Sequence, residues 1–414
     1  MKKILWLCNV VIPEFADEYN IKKKPFGGWI SGMYRELKKN NDIEISFVFP
    51  ICDEDKLRDG VRDGSHFFSF HNIYPSYIIS EEHIHRFCDI LEQYKPDVVQ
   101  IWGSEYAWCL EMIEACDRLG YIDRVLIYIQ GIVSLCAIHY CANLPERYRV
   151  EELIGEMPNT IKEGYERFLL QGKNEAEALK KVKYVIGRTE WDRAFIMTTN
   201  PQIVYSYCRE ILREEFYEQR GSWSYRECEP YRIFVSQANY PLKGFHYLLW
   251  ALPFVIESFP AVRVYVAGRN LMKTTYGVYI RGEIDRLKLN DIISFLDILN
   301  PEEMIEQYKK ANVFVSASSI ENSSNSVCEA MLIGTPVVAS YVGGIPSIVE
   351  HRKNGLLYPE TDINMLAFLI CNYFSDRQLC ENISTNAVKK AGEFVSKDGA
   401  LSDVLSVYDK ISHS

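Results

Sequence analysis

Short apolar runs alternate with longer amphipathic stretches along most of this chain. That is the pattern of repeated β–α units wound into a parallel sheet. In the first half, strands are predicted at 4–12, 43–49, 97–102, 124–129 and 184–186. Most of these runs are apolar at successive positions instead of alternating, which predicts strands covered on both faces. Helices are predicted at 81–93, from Tyr106 onward, at 161–181 and at 190–197. The last is capped by Thr189 with Asp192 at the fourth place. Residues 132–160 have no clear period. Residues 213–230 break the pattern with mixed charge. The second half restarts with strands at 231–236, 262–267 and 292–296, and helices at 244–257, 302–308, 361–391 and 398–412. The predicted organisation is a first domain over 1–215, a linker over 216–230, a second domain over 231–393 and a C-terminal helical segment over 394–414.

The stretch 311–341 organises the second half. An apolar run, 313–316, predicts a buried strand; a polar loop, 321–326, follows. Residues 327–332 then predict a helix stopped by Gly334 and Pro336, and 336–339 a second strand. This is one βαβ unit. A polar loop entering a helix at the end of a parallel strand is where α/β proteins bind ligands, anions above all.

Composition narrows the classes. A chain of 414 residues predicts two domains, and 48% apolar residues suffice for full cores. A net charge of −10 argues against a general nucleic-acid binder. Twelve cysteines without a signal peptide predict a reducing, cytoplasmic setting. The basic and apolar N-terminus is read as a first strand. No Cys-x-x-Cys and no metal-ligand set is visible, and no run reaches the length of a membrane span.

Several residues carry candidate chemistry. Lys243, beside Gly244, and Arg269, beside Gly268, follow neighbouring strands, where cations suit a phosphate. Gly27 and Gly28 precede a helix. They form either a diphosphate cradle or a plain strand-to-helix turn, and the spacing lacks the dinucleotide fingerprint. Glu321 and Glu329, with seven residues between them, admit three readings. They are an acid/base pair, acceptors for ligand hydroxyls, or a solvated acid and a helix-start acid. The spacing leaves all three open. His83 and His85 point apart on a helix and are predicted at the surface. His139 is either structural or close to a substrate. Segment 1–50 has eight Lys/Arg against six Asp/Glu, so Lys22 to Lys24 read as a solvated loop that leaves peripheral membrane contact open.

A family resemblance joins these features. The run Phe314-Val315-Ser316, Glu321 to Glu329, Ala330-Met331, Gly334-Thr335-Pro336-Val337-Val338-Ala339, Gly343-Gly344-Ile345-Pro346 and Asn354-Gly355 resembles the donor region of glycosyltransferase family 4 (glycosyl transferases group 1). Lys243-Gly244, Val266-Ala267-Gly268 and Gly27-Gly28 fit the same pattern. The resemblance implies an α/β GT-B fold, two Rossmann-like domains facing a cleft, with the C-terminal helix returning to the first domain. It implies retaining sugar transfer from a nucleotide-sugar such as a UDP- or GDP-sugar, without a metal or other cofactor. The acceptor is then a glycan or lipid-linked molecule in cell-surface biosynthesis. Glu321 is expected at the donor sugar, Glu329 at the ribose, and Lys243 at the leaving diphosphate. Gly27, Gly28, Gly268, Arg269 and the amides of Asn325, Ser326 and Val327 are expected to hold phosphates. On the acceptor side the expected residues are Gln130, His139 and Arg188, the last facing the cleft. One departure stands out: relatives carry an arginine ahead of the Lys-Gly pair, where this chain has Ser236-Gln237-Ala238-Asn239. The alternatives at this point are a non-catalytic nucleotide-sugar-binding protein and a GT-B-fold epimerase.

Overall fold

The computed structural model describes residues 1–19, 28–52, 56–150, 160–268 and 274–413. The chain forms two compact units and passes between them more than once. The first comprises Met1–Ala137, Arg167–Ile211 and Val395–Ser414; the second comprises Ile138–Glu166 and Leu212–Phe394. Residues 138–166 thus pack with the second unit, although the sequence placed them within 1–215.

The first unit is built on eight strands: β1 Lys2–Leu7, β2 Ile43–Ile51, β3 Gly60–Arg62, β4 Ser65–His71, β5 Val98–Trp102, β6 Val125–Tyr128, β7 Tyr184–Gly187 and β8 Val204–Tyr207. Their order is β3-β4-β2-β1-β5-β6-β7-β8. All neighbours are parallel except β3 and β4, an antiparallel hairpin closed by Asp63 and Gly64. Both turn residues have positive φ, the backbone that an Asp-Gly hairpin turn demands. The apolar strands predicted above are there, with β5 and β6 buried at every position, because helices cover both faces. The helix Lys397–Ser412 belongs to this unit: Trp6 Nε1 donates to Tyr408 Oη at 3.0 Å, and Tyr408 Oη donates to Gln100 Oε1 at 2.6 Å.

The second unit holds six parallel strands: β9 Arg232–Val235, β10 Arg263–Val266, β11 Ile293–Phe295, β12 Val313–Ser316, β13 Val337–Ser340 and β14 Leu356–Tyr358. Their order is β11-β10-β9-β12-β13-β14. The chain runs outward from β9 to β11, then returns to β12 beside β9 and runs outward the other way. A doubly wound sheet opens a crevice at that reversal, at the carboxyl ends of β9 and β12. The predicted linker is not a free tether. It carries a short helix, Glu214–Glu218, and then lies on this unit: Gly221 and Trp223 donate their amides to Leu332 and Ile333 carbonyls, both at 2.9 Å.

Candidate active site

The crevice between the ends of β9 and β12 is a pocket open to solvent. Val235, Ser236 and Gln237 line it from β9, Ser316 to Ser318 from β12, and Lys243, Glu321, Ser324 and Ser326 complete the wall. Among the described residues, the polar lining is uncharged apart from one lysine and one glutamate.

Lys243 ends a turn, Pro241–Lys243, and is followed by Gly244 at φ +62°. A Cβ on Gly244 would stand 1.8 Å from the Ala317 carbonyl oxygen, so only glycine lets this loop close on the end of β12. The Ser319 amide donates to the Leu242 carbonyl at 2.8 Å and fixes the same approach. Across the pocket, Glu321 is held through its backbone: its carbonyl accepts from the Gly344 amide at 2.9 Å. Gly343, at φ +48°, leaves only 2.0 Å between its Cβ position and that carbonyl oxygen. With both backbones fixed, Lys243 Nζ donates to Glu321 Oε1 at 3.1 Å and to Oε2 at 2.9 Å. Their side chains are only 18% and 16% exposed, so the pair is shielded from screening by solvent and salt.

The helix Asn325–Ile333 starts at the pocket and two residues earlier than the apolar run predicted. Asn325, Ser326 and Val327 are therefore its first turn, where amides have no intrahelical acceptor. Ser324 is the N-cap residue but makes no side-chain cap hydrogen bond. Two buried atoms here, Ser323 Oγ and Asn325 Oδ1, have no hydrogen-bond partner among the described residues. Uncapped amides at the positive end of a helix, beside a fixed ammonium, can hold an anion. At its other end the helix stops at Gly334, φ +97°.

Glu329, expected at the ribose, does not line this pocket. It is buried at 6% exposure, with Arg213 Nη2 at 2.8 Å from Oε1 and Tyr308 Oη at 3.2 Å from Oε2. Burial pushes its carboxyl above the usual range, against the pull of Arg213. The same Tyr308 hydroxyl lies 3.2 Å from the Ser326 carbonyl oxygen, which ties Glu329 to the pocket wall.

The other expected residues fall in different places. Gly27 and Arg269 lie outside the described residues, as do Lys22 to Lys24. Gly28 opens the helix Gly28–Leu37 of the first unit. Gly268 follows β10 at φ +118°, with its amide 3.3 Å from the Asp297 carbonyl oxygen. Gln130 follows β6, and its carbonyl accepts from Arg188 Nη2 at 3.1 Å. His139 ends the helix Val133–His139 and is partly exposed. Arg188 does not face a cleft. It is 2% exposed and ion-paired with buried Glu210, because a guanidinium inside a domain needs a carboxylate partner. His83 is also inside, not at the surface: its Nδ1 lies 2.8 Å from Glu111 and its Nε2 2.7 Å from the His71 carbonyl oxygen.

Arg213 and Tyr308 escaped the sequence reading. Arg213 sits in the mixed-charge stretch 213–230, which has no readable period, and Tyr308 reads as one more apolar position of a helix. Neither spacing nor neighbours mark them. Ser316, Ser318 and Ser324 of the pocket wall are equally silent.

Two parallel-sheet Rossmann-like units, with a pocket at the switch point of the second, define a GT-B fold. Solved structures agree over nearly the whole chain. Sucrose-phosphate synthase from Thermosynechococcus elongatus superposes with a TM-score of 0.72 at 14% identity, covering 99% of both chains. The Anabaena protein HepE, solved with UDP and glucose, gives 0.67 at 16% identity, covering 99% of this chain and all of its own. At such identities these show the fold. The family resemblance is shown by sequence: residues 216–390 match the family glycosyl transferases group 1. Among curated relatives, an uncharacterized glycosyltransferase of Methanocaldococcus jannaschii is 32% identical over 196 residues, 47% of this chain and 48% of the relative. The match thus spans about half the length of that relative.

Proposed function

We propose that this protein is a glycosyltransferase that moves a sugar from a nucleotide-sugar to an acceptor hydroxyl. The observation that carries this reading is the Lys243–Glu321 pair at the switch-point crevice, facing the uncapped start of the helix Asn325–Ile333. In the reaction, the bond from the anomeric carbon to the diphosphate breaks, the acceptor oxygen takes its place, and the acceptor's proton passes to the departing phosphate. Negative charge develops on the leaving phosphate. Lys243 and the amides of Asn325 to Val327 are fixed in position to stabilise it, which is electrostatic catalysis without reorganisation. Glu321, an acceptor of hydrogen bonds, orients the hydroxyls of the sugar. Glu329 is assigned to the ribose.

The finer reading is retention at the anomeric carbon, with Lys243 in the charge-neutralising role that a divalent ion serves elsewhere. Diphosphate contacts from Gly27, Gly28, Gly268 and Arg269 belong to the same proposal. The proposed acceptor is a glycan or lipid-linked molecule of cell-surface biosynthesis, with the enzyme in the cytoplasm and in peripheral contact with the membrane. No helix among the described residues is long and apolar enough to cross a membrane. Gln130 and His139 stay assigned to the acceptor side, whereas Arg188 is committed to Glu210.

A thermal-shift panel of UDP-, GDP- and ADP-sugars, each with and without EDTA, tests this. One nucleotide series should raise the melting temperature, equally in both conditions. Stabilisation by none of them would overturn the proposal, and loss in EDTA would overturn metal independence.

A further inference from the structure

A carboxylate that grips ribose hydroxyls must be ionised and aimed, and Glu329 is badly placed for both by itself. Its side chain is 8% exposed, in the second turn of an apolar helix. Desolvation there favours the neutral acid, which offers fewer acceptor sites and a donor instead. Two side chains oppose this. Arg213 Nη2 donates to Oε1 at 2.8 Å, and Tyr308 lies beside Oε2. Both are themselves locked in place. Phe216 of the helix Glu214–Glu218 packs 4.9 Å from the Arg213 guanidinium and 6.1 Å from the Tyr308 ring. Tyr308 is also wedged edge-on against Phe234 of β9 and Phe314 of β12, the two strands that open the pocket.

We infer that Arg213 is a positioning residue of the donor site, holding the Glu329 carboxylate charged and oriented for the vicinal hydroxyls of a nucleoside. This rests on the donor-site reading above. Arg213 acts through Glu329 and has no place of its own on the pocket wall.

The surroundings make the arginine the only compensating charge recorded at this carboxylate among the described residues. The groups acting on Glu329 are burial, Arg213 and Tyr308. Glu215, from the short helix, acts on Arg213 and strengthens its charge. The buried residues of the neighbouring helix Arg377–Phe394 are uncharged, and β13 reads Val-Val-Ala-Ser. Without the guanidinium nothing else there would keep Glu329 ionised.

The test is calorimetric binding of UDP, GDP and ADP to the full chain between pH 6.5 and 9. Wild type and Arg213→Met are compared with whichever nucleotide wild type binds. Arg213→Met should bind about tenfold more weakly at pH 6.5, and the gap should narrow by pH 9 as Glu329 ionises without its partner. Arg213→Lys should restore most of the affinity. Equal affinities at every pH, or a loss that does not change with pH, would overturn the inference and leave Arg213 a structural role. Should Arg213→Met fail to fold, Glu329→Gln serves: it should lose affinity at all pH values, and wild-type affinity there would overturn the inference too. If wild type binds no nucleoside diphosphate, the donor-site reading itself falls.

Discussion

Lys243 Nζ stands 2.9 Å from Glu321 Oε2, and both side chains come from loops fixed by glycines that tolerate no Cβ. The pair is pre-formed and largely withdrawn from water. Under the proposed reading, the cation for the leaving phosphate is therefore held in place before any ligand arrives. Its partner compensates that charge while the pocket is empty, so that the lysine is not a lone, largely buried cation.

Removing the acid should separate chemistry from folding. Glu321→Ala is expected to lose transfer and donor hydrolysis by about two to three orders of magnitude, the scale of losing one preorganised polar contact. Its melting temperature should fall by only a few degrees, because the pair is not fully buried. Calorimetry beside a turnover assay checks both. Undiminished turnover would remove Glu321 from the mechanism.

The loop that carries Lys243 depends on Gly244. With φ at +62° and 1.8 Å between a Cβ and the Ala317 oxygen, Gly244→Ala must displace the loop from β12. A loss of about 2–3 kcal/mol in urea unfolding is expected, combining left-handed strain with the clash. An unchanged midpoint would show that the loop shifts freely.

Gln237 lies on the pocket wall, within the stretch 236–239 where the family resemblance leads one to expect an arginine. Gln237→Arg should add a second cation and tighten binding of a nucleoside diphosphate by about tenfold at low salt, with the gain shrinking as ionic strength rises. Titration at two salt concentrations reads this out. A gain insensitive to salt would contradict an electrostatic origin.

The first unit contributes a pH effect. Burial pushes Glu105 up to about 7, with Glu175 adding to the shift, and its Oε2 has no hydrogen-bond partner among the described residues. The unfolded chain releases this proton near 4.5, before the folded one does. Stability is therefore full below that pH and is lost as pH rises towards 7, by roughly 3 kcal/mol for a shift of this size. Glu105→Gln should flatten that slope and be more stable than wild type at pH 8. A variant with the wild-type slope would place the titration elsewhere.

The fold was legible where burial dictates sequence. Strands buried on both faces read as unbroken apolar runs, and Thr189 with Asp192 forms the capping box that its spacing announced. Strand β4 was missed because His66-Phe67-Phe68-Ser69-Phe70 neither alternates nor runs clean, although the Asp63-Gly64 turn before it was a usable signal. Among site residues, Lys243 and Glu321 meet because each is tied to a motif glycine. Arg188 and His83 sit away from their expected places for one reason. Whether a charged side chain faces solvent or an internal partner depends on residues distant in sequence: Glu210 and Glu111 respectively. Periodicity carries no information about such pairings.

The most direct test of the central claim is release of nucleoside diphosphate from a matched nucleotide-sugar, followed in wild type and in Lys243→Ala. Wild type should release it with or without EDTA, and Lys243→Ala should lose about two to three orders of magnitude in rate while still folding. Equal rates in the two proteins, or no release by wild type from any UDP-, GDP- or ADP-sugar, would contradict the assignment of this pocket as a donor site.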